Sequence, residues 1–198
     1  MDTQIVLVRH GETEWSRSGQ HTGRTDIPLT EQGRREAAMV GPTLRDWDFT
    51  HRFSSPLSRA LDTANDAGVI GDLSIDDDLL EWDYGIYEGR TNEEIQLAEP
   101  GWSKWVGPLE GGESAADVGE RADRAIDRLK SASADGPVVV FAHGHLLAIL
   151  IARWLGLDAS EGKRFVLDTA TASVLSTKRD DHVLRVLNQR CGGHHIEP

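Results

Sequence analysis

The chain has 198 residues, a formal net charge of −12 and 38% hydrophobic residues, which suits a folded globular protein large enough to bury a sizeable core. So negative a protein repels phosphate backbones and anionic lipid, which argues against nucleic acid and membrane surfaces as partners. The single cysteine, Cys191, excludes an intrachain disulfide and fits a reducing compartment. Because the first residues also lack the features of a signal peptide, we expect a cytoplasmic protein.

The first half of the chain alternates between strand-like and helix-like patterns. Residues 4–8 form a short β-branched apolar run, which is typical of a buried strand. Residues 30–47 are mostly helix formers, and Thr30 is suited to cap the start of that helix. Ser55 followed by Pro56 predicts a second helix start, because serine caps helices and proline favours the first helical position.

The second half of the chain continues this alternation. Ser114 with Asp117 predicts a capping box at the start of another helix. Residues 137–142 are the strongest candidate for a buried strand, and an apolar helix is expected over residues 145–155. The last two apolar runs, before and after residues 178–181, are predicted to pair as a hairpin.

Strands that alternate with helices predict an α/β sandwich with a mostly parallel central sheet. No linker-like composition divides the chain, so we expect one domain over residues 1–198. The long irregular section over residues 81–113 contains glycine, proline and three tryptophans. Long loops that are structured are usually functional, so this section is predicted to be a cap that governs substrate specificity.

Two of the predicted strands end in a histidine followed by glycine. The run VLVRHG brings Arg9 and His10 to the end of one strand, and VVVFAHGH brings His143 and Gly144 to the end of another. Because ligands bind at the carboxyl ends of strands in open α/β sheets, we expect the two histidines to lie side by side. Gly144 would let a ligand approach the backbone, next to the free N–H groups that start the following helix.

The residue types around these strand ends favour phosphate chemistry. Arg9, and Arg59 on the first turn of the predicted Ser55-Pro56 helix, carry guanidiniums that match phosphate oxygens with two N–H groups each. A histidine can act as a nucleophile and divide one difficult step into two. Alone, each of these residues would more often be structural. Together, two arginines and two histidines can attack and neutralise a phosphoryl group without a metal ion.

Six blocks of the sequence, taken in order, resemble the histidine phosphatase superfamily, which contains cofactor-dependent phosphoglycerate mutases and many small phosphatases. The blocks are LVRHGETEW, HTGRTDIPLTEQG, SSPLSRALDTA, LLEWDYGIYEG, GGES and VFAHGH. The resemblance extends from Ile5 to about Leu187, which is nearly the whole chain. It implies a three-layer α/β domain with helices on both faces of the central sheet.

The resemblance also implies a role for each matching residue. His10 would be the phosphorylated nucleophile, and Glu81 would donate a proton to the leaving oxygen. Arg9, Arg59 and His143 would form the phosphate pocket. Neither a metal nor a cofactor is expected. Further contacts at the phosphate or substrate entrance are implied for Thr22, Gly23 and Ser16, which stands where many members of the family have asparagine.

The role of His10 carries a physical expectation. The ring must attack through an unprotonated nitrogen, so its other nitrogen should donate to a fixed acceptor such as a backbone carbonyl. The neighbouring Arg9 and Arg59 would disfavour the imidazolium form and help to keep the nucleophile neutral.

The role of Glu81 requires that the carboxyl hold a proton when the ester bond breaks. Trp82 would desolvate the carboxyl, and Asp83 and Glu88 are like charges nearby in the sequence, so all three should favour the protonated form. We therefore expect activity to peak on the acidic side of neutral.

The segment from Glu81 to Gly85 bears on which reaction is catalysed. In the phosphoglycerate mutases of this family Arg-His occupies the positions of Trp82 and Asp83. An acid in place of a cation disfavours a substrate carboxylate by about 1 kcal/mol or more in a partly dry site. Further negative charge follows at Glu93, Glu94 and Glu99.

We therefore favour a phosphatase that acts on small phosphorylated metabolites such as sugar phosphates, with a mutase as the alternative. Trp82, Tyr84 and Tyr87 are predicted either to stack on such a substrate or to form the core of the cap. A non-catalytic phosphate-binding module is a third interpretation. It needs neither a nucleophile nor an acid, so the presence of both His10 and Glu81 argues against it.

The remaining histidines do not predict a metal site. His143 with His145, and His194 with His195, lack acidic or cysteine partners at a metal-binding spacing. His145 is expected to cap its helix, line the rim of the pocket or face solvent. The expected partner is a small phosphomonoester, and the sequence leaves open its identity and whether the chain forms a homo-oligomer.

Overall fold

In the part of the chain that the computed structural model describes, residues 3–69, 71–179 and 181–190, six strands form one sheet. They are β1 (Gln4–Arg9), β2 (His51–Ser54), β3 (Ser74–Ile75), β4 (Val138–Ala142), β5 (Ala172–Lys178) and β6 (Asp181–Gln189). Their order across the sheet is β3-β2-β4-β1-β5-β6. The pairs among β3, β2, β4 and β1 are parallel, whereas β5 and β6 are antiparallel, so the mostly parallel sheet and the closing hairpin are confirmed. Cys191, His194 and His195 lie outside the described residues.

The register of β1 against β4 places both histidines at one edge of the sheet. Arg9 pairs with Ala142, and the backbone N–H of His10 donates to the Ala142 carbonyl over 3.0 Å. The next strand, β2, ends at the same level, where the backbone N–H of Ser55 donates to the Phe141 carbonyl over 3.0 Å. The residues that follow three parallel strands therefore lie at the same edge of the sheet, as the sequence predicted for two of these strands.

Helices cover both faces of the sheet, which confirms the three-layer sandwich. Residues Ile5 and Leu7 of β1 are packed in one core with two helices, and Val6 and Val8 are packed in a second core with two others. This alternation follows from the two-residue period of a strand. The helices are α1 (Glu14–Ser18), α2 (Glu31–Leu44), α3 (Ser58–Asp66), α4 (Asn92–Ala98), α5 (Ala115–Ala132) and α6 (Gly144–Trp154), with α5 and α6 on the first face and α2 and α3 on the second.

Two predicted helix caps are confirmed and one is corrected. The Thr30 hydroxyl caps α2, and Ser114 with Asp117 forms the capping box of α5. Helix α3, however, begins at Ser58 with Leu57 in the N-cap position and no side-chain cap. The reason is that the Ser55 hydroxyl, 2.8 Å from His143 Nε2, serves the histidine rather than the helix.

Residues 81–113 are folded against the α5–α6 face of the sheet. They contain a 3-10 helix (Gly85–Tyr87) and α4. Ile95 is completely buried in the core that contains Ile5 and Leu7, which is called the main core below. Gly85 has φ +54, and a Cβ there would lie 2.1 Å from the Glu110 carbonyl oxygen, so only glycine permits this close approach. The section is thus structured, as expected. Its role in substrate specificity stays a prediction.

A buried arginine joins this section to α5. Arg121 is only 4% exposed, and its guanidinium donates to the carbonyls of Asp78, Leu80 and Glu81 as well as to the Glu113 carboxylate. One side chain therefore holds the backbone on both sides of residue 80.

We expect Arg121→Met to lower the free energy of unfolding by about 3 kcal/mol or more, because it leaves a carboxylate and several carbonyls without their donor. Urea unfolding followed by circular dichroism measures this loss. Arg124→Met is the control: Arg124 also pairs with an acid, Asp78, but is 58% exposed, so this variant should lower the free energy of unfolding much less than Arg121→Met. Equal losses for the two variants would contradict the structural importance of Arg121.

Candidate active site

A cavity of about 300 Å³ opens where β1 and β4 end. Its wall contains two predicted catalytic residues from the strand end, Arg9 and His10, and a third, Glu81, from the segment before the cap helix. It also contains residues that the sequence did not single out as ligands. The lining residues are Arg9, His10, Ser16, Gly19, Gln20, His21, Thr22, Glu81, Tyr84, Asn92, Lys104 and His145.

His10 is held in the tautomer that a nucleophile needs. Its Nδ1 lies 2.7 Å from the Gly11 carbonyl oxygen. A carbonyl can only accept, so Nδ1 carries the proton and Nε2 keeps its lone pair. The expectation of a backbone carbonyl partner is therefore confirmed. Burial, followed by the positive charges of Arg9 and Arg59, lowers the pKa of His10 well below its ordinary value.

Gly11 is packed too tightly to be any other residue. Its N–H donates to the Thr63 hydroxyl over 3.0 Å, and a Cβ on Gly11 would lie 2.3 Å from the Gly33 carbonyl oxygen. Helices α2 and α3 therefore fix the carbonyl that orients the His10 ring.

His143 stands beside His10, with 5.2 Å between the ring centroids. Arg59 Nε donates to His143 Nδ1 over 3.1 Å, so the proton of the ring is on Nε2, which lies 2.8 Å from the Ser55 hydroxyl. Burial, and next the charge of Arg59, lowers the pKa of His143 well below its ordinary value. Both rings are thus neutral and adjacent, as the sequence predicted, although His10 lines the cavity whereas His143 is not among its lining residues.

Arg59 is completely buried, unlike a solvated arginine on a helix surface. Its two terminal nitrogens donate to the carbonyls of Thr25 and Gly23, over 2.9 and 2.8 Å. Gly23 therefore lies behind the arginine and is not part of the cavity wall. It has φ +56, and a Cβ there would lie 1.8 Å from a Glu88 carboxylate oxygen, so the turn requires glycine.

Arg9 lies against the start of α6. One terminal nitrogen donates to the Leu167 carbonyl, and its buried Nε has no hydrogen-bond partner in the structure. A Cβ on Gly144 would lie 3.2 Å from that Nε, so the glycine lets the guanidinium approach the helix N-terminus. Gly144 thus acts through Arg9, which lines the cavity.

Glu81 is 6% exposed and occupies the N-terminus of α6. Its Oε1 accepts from the N–H groups of Trp82 and Leu146, each over 2.9 Å, and its Oε2 accepts from the N–H of His145 over 3.2 Å. The sequence predicts that the N–H groups at this helix start are free to meet a ligand, but the structure places the Glu81 carboxylate on those of His145 and Leu146.

The neighbours that were expected to influence Glu81 have other partners. Asp83 accepts from the Gly85 N–H over 2.9 Å, and Glu88 accepts from the N–H of Arg24 over 2.6 Å. Trp82 is completely buried in the main core, where its indole N–H donates to the Glu113 carbonyl over 2.8 Å. The structure therefore places Trp82 in the core and not in the cavity wall, so the expected stacking on a substrate is wrong for this residue.

Tyr84, Ser16 and Thr22 do line the cavity, as predicted. The Tyr84 hydroxyl lies 2.6 Å from His145 Nδ1, and His145 also lines the cavity. Of the three roles that the sequence left open for His145, the structure therefore supports the rim of the pocket. The Ser16 hydroxyl donates to the Thr13 carbonyl over 3.0 Å and closes the capping box of α1. Its side chain is thus used within the helix start.

Two basic residues of the cavity wall were missed as ligands. His21 is 7% exposed, and burial together with the charge of Lys104 lowers its pKa to about 4. Burial lowers the pKa of Lys104 to about 8, with Glu81 acting in the opposite direction. Lys104 follows no motif, so no signal in the sequence could identify it. His21 directly precedes the Thr-Gly block and could have been found from its position.

The acidic residues used to argue against a mutase are not in this wall. The Glu94 side chain closes the capping box of α4, and Glu99 accepts from the Tyr87 hydroxyl over 2.9 Å. Asp83 and Glu93 are also absent from the lining residues. The structure therefore does not support the electrostatic argument from these positions, because none of the four acidic residues lines the cavity.

The described residues contain neither a candidate metal site nor a candidate membrane-spanning helix. Among the described residues, no group of three or more histidine, cysteine, aspartate or glutamate side chains is arranged to hold a metal ion. Within the same part of the chain, no helix combines the length and the apolar character that a membrane crossing requires.

Comparison with known proteins identifies the family. The model of the histidine phosphatase superfamily (branch 1) matches residues 5–190, which include every residue of the cavity wall. The chain belongs to the histidine phosphatase superfamily.

Relatives with assigned activities are similar over most of their length. An acid phosphatase of Mycobacterium tuberculosis is 38% identical over 93% of this chain and 91% of its own. Sedoheptulose 1,7-bisphosphatase of Saccharomyces cerevisiae is 38% identical over 80% of this chain and 69% of its own. A probable phosphoglycerate mutase of Erwinia tasmaniensis is 32% identical over 86% of this chain and 83% of its own. Phosphatase activity is thus supported at the level of the family.

Solved structures agree with this assignment. The product of an open reading frame of Mycobacterium tuberculosis has a TM-score of 0.89 at 37% identity, covering 94% of this chain and 97% of the other. A mycobacterial glucosyl-3-phosphoglycerate phosphatase in complex with VO3 has a TM-score of 0.84 at 29% identity, covering 94% and 98% of the two chains.

The buried histidines of this phosphatase-family site make its stability depend on pH. His10, His21, His143 and His145 all have a pKa below the value near 6.5 of an unfolded chain. Unfolding therefore takes up protons below pH 6.5, and each histidine removes up to about 1.4 kcal/mol of stability per pH unit as the pH falls.

We expect the free energy of unfolding to decrease between pH 7 and pH 5, as measured by urea titration. His21→Gln, which removes one of the four buried imidazoles, should show a smaller dependence on pH over the same range. A stability that is constant or rises as the pH falls would show that these rings are not held neutral in the fold.

Proposed function

We propose that this protein is a metal-independent phosphomonoesterase that works through a phosphohistidine at His10. The observation that carries the proposal is the bond from His10 Nδ1 to the Gly11 carbonyl, because it leaves the Nε2 lone pair free beside His143. Binding alone would need neither an oriented lone pair nor a nearby carboxyl group. The acid phosphatase and bisphosphatase relatives support hydrolysis as the reaction.

In the first step, the Nε2 lone pair forms a bond to phosphorus while the bond from phosphorus to the ester oxygen breaks. The leaving oxygen takes the proton of Glu81 and departs as an alcohol. Oε1 already accepts two hydrogen bonds and Oε2 one longer bond, so Oε2 is the atom suited to carry that proton. The guanidiniums of Arg9 and Arg59 balance the charge on the phosphoryl oxygens.

In the second step, water attacks the phosphohistidine. The Glu81 carboxylate takes a proton from the water, the new oxygen forms its bond to phosphorus, and the bond from phosphorus to Nε2 breaks. Inorganic phosphate leaves, and both His10 and Glu81 return to their starting protonation states. His143 Nε2 lies 2.8 Å from the Ser55 hydroxyl. By turning away from that hydroxyl, the ring can donate its Nε2–H to a phosphoryl oxygen.

We expect His10→Ala to lower kcat by about a thousandfold or more, because no other group replaces the nucleophile. Acid-quench of the wild-type enzyme during turnover should trap phosphate on His10 as an acid-labile, alkali-stable adduct. A variant that keeps full phosphate release, or an adduct on another residue, would contradict the mechanism. The same trap excludes a module that only binds phosphate.

We expect Glu81→Gln to slow the hydrolysis of alkyl phosphates about tenfold or more relative to the hydrolysis of p-nitrophenyl phosphate. The reason is that a good leaving group needs little protonation. Steady-state kcat/KM for glycerol 3-phosphate and p-nitrophenyl phosphate provides the comparison. A uniform loss for both esters would mean that Glu81 only supports the structure of the site.

We expect kcat/KM to stay high on the acidic side of neutral and to fall toward alkaline pH. The lowered pKa of His10 keeps the nucleophile unprotonated below pH 6.5, and the departing oxygen needs a protonated acid. A profile that rises from neutral to alkaline pH would contradict these roles. EDTA in the same assay should leave the activity unchanged, and its complete loss would refute metal independence.

A phosphoglycerate mutase is the second candidate. The observation that favours it is Lys104, a cation in the cavity wall, whereas the acids expected to disfavour a substrate carboxylate are not among the lining residues. Interconversion of 3-phosphoglycerate and 2-phosphoglycerate that requires added bisphosphoglycerate and exceeds phosphate release would establish a mutase. We favour the phosphatase, and we infer a small metabolite as its substrate and the cytoplasm as its location.

A further inference from the structure

A second cavity lies on the α2–α3 face of the sheet. Its volume is about 470 Å³, which is within the usual range of small-molecule sites. Its wall is built from the C-terminal half of α2, the end of α3, the turns that follow these helices and the start of β2. Among the described residues, it shares no lining residue with the cavity that contains His10.

The second cavity and the catalytic residues lie at opposite ends of α3. Arg59, on the first turn of this helix, donates to His143, whereas Asp66, the last residue of the helix, lines the second cavity. The step from residue 59 to residue 66 corresponds to about 10 Å along the helix axis. Strand β2 has the same direction, since Arg52 near its start lines the second cavity and Ser55 just after its end contacts His143. A ligand in the second cavity is therefore separate from the place of phosphoryl transfer.

Two buried N–H donors belong to the wall of the second cavity. They are the indole Nε1 of Trp47 and the Nε of Arg52, and neither has a hydrogen-bond partner among the described residues. Trp47 is only 6% exposed and is stacked on Phe49 with 5.8 Å between the ring centroids, so packing fixes the indole. Buried donors without an acceptor are rare in native proteins and require an explanation.

The charged groups of this wall are mainly positive. Arg45 and Arg52 line the cavity, and within the described part of the chain neither guanidinium forms an ion pair within 4.0 Å. The acid among the described lining residues, Asp66, already accepts from Arg34 over 3.0 Å. Two arginines in one cavity, in a chain with a net charge of −12, attract an anion.

Main-chain carbonyls at the ends of α2 and α3 do not use these donors. The Leu44 carbonyl accepts from the Trp47 N–H over 3.2 Å, and the Ala64 carbonyl accepts from the Val69 N–H over 3.2 Å. Free carbonyls at a helix C-terminus would favour a cation. Here these acceptors are used within the fold, whereas the side-chain donors remain for a ligand.

We propose that the second cavity binds a small anion, a carboxylate or a phosphate group, through Arg52 and Trp47, with Arg45 adding positive charge. A guanidinium and an indole N–H can only donate, so their partner must supply acceptors. Carboxylates and phosphates present the same charged oxygens, which suit guanidinium N–H groups. The site contains none of the residues that act on phosphorus, so its test is independent of the proposed hydrolase function.

Nuclear magnetic resonance of the full chain measures binding at an atom of the site. The six tryptophans give indole N–H signals in a proton–nitrogen correlation spectrum. Trp47→Phe identifies the signal of Trp47, because it removes that N–H and keeps an aromatic ring beside Phe49. The probes are sodium succinate, which carries carboxylates, and sodium phosphate. Each is compared with sodium chloride at the same ionic strength.

We expect the Trp47 signal to shift saturably with at least one of the two probes and not with chloride. The probe that acts identifies the anion as a carboxylate or a phosphate. Arg52→Met should raise the Kd of that probe by about tenfold or more, and Arg45→Met should raise it less. Arg35→Met is the matched control, since it removes an equal charge from α2 at a side chain that is 64% exposed. Its Kd should equal that of the wild-type protein.

Three outcomes would overturn the proposal. A Trp47 signal of the wild-type protein that shifts with neither probe would show that the cavity binds neither anion, and this result needs no variant to fold. An unchanged Kd in Arg52→Met would show that its guanidinium does not contact the anion. An equal rise of the Kd in Arg35→Met would reduce the effect to net charge.

Discussion

The parallel pairing of β1 with β4 is the constraint on which the site depends. It sets Arg9 opposite Ala142, so the next residue of each strand is a histidine at the same height above the sheet. Because side chains in a strand alternate between faces, a shift of one residue in this register would turn one ring away from the other. The buried strands prevent such a shift, since β4 is apolar throughout and every one of its residues is buried. The core thereby fixes the distance between two polar rings that it does not itself contact.

Main-chain groups hold His10, Arg59 and Glu81 in place. The Gly11 carbonyl orients His10, the carbonyls of Gly23 and Thr25 hold Arg59, and three N–H groups hold the Glu81 carboxylate. Backbone partners are rigid because the fold fixes them, so the catalytic side chains need little reorganisation when a substrate binds. Carbonyls also help to hold cations in this acidic protein: that of Leu167 accepts from Arg9, and those of Thr25 and Gly23 accept from Arg59.

Residues 81–113 supply part of the cavity wall. The same segment that contains Glu81 continues into Tyr84 and then into Lys104, all of which line the cavity. Its tryptophans lie elsewhere, since Trp82 and Trp105 contact each other at 5.1 Å between ring centroids and pack in the core on the α5–α6 face of the sheet. The packing of these tryptophans therefore fixes where the three cavity residues lie.

The sequence by itself determined the family, the three-layer fold and the candidate residues Arg9, His10, Arg59, Glu81 and His143, because these depend on local motifs: a strand that ends in His-Gly, arginines near it and a glutamate before Trp-Asp-Tyr. Only the tertiary structure decided the environment of those residues. It buried Arg59 and placed the helix start at Ser58 instead of Ser55. It also brought Lys104 and His21 into the wall of one cavity, although they are remote along the chain, because their positions depend on how residues 81–113 pack. Side-chain direction in such a segment is set by long-range packing, which no local pattern in the sequence encodes.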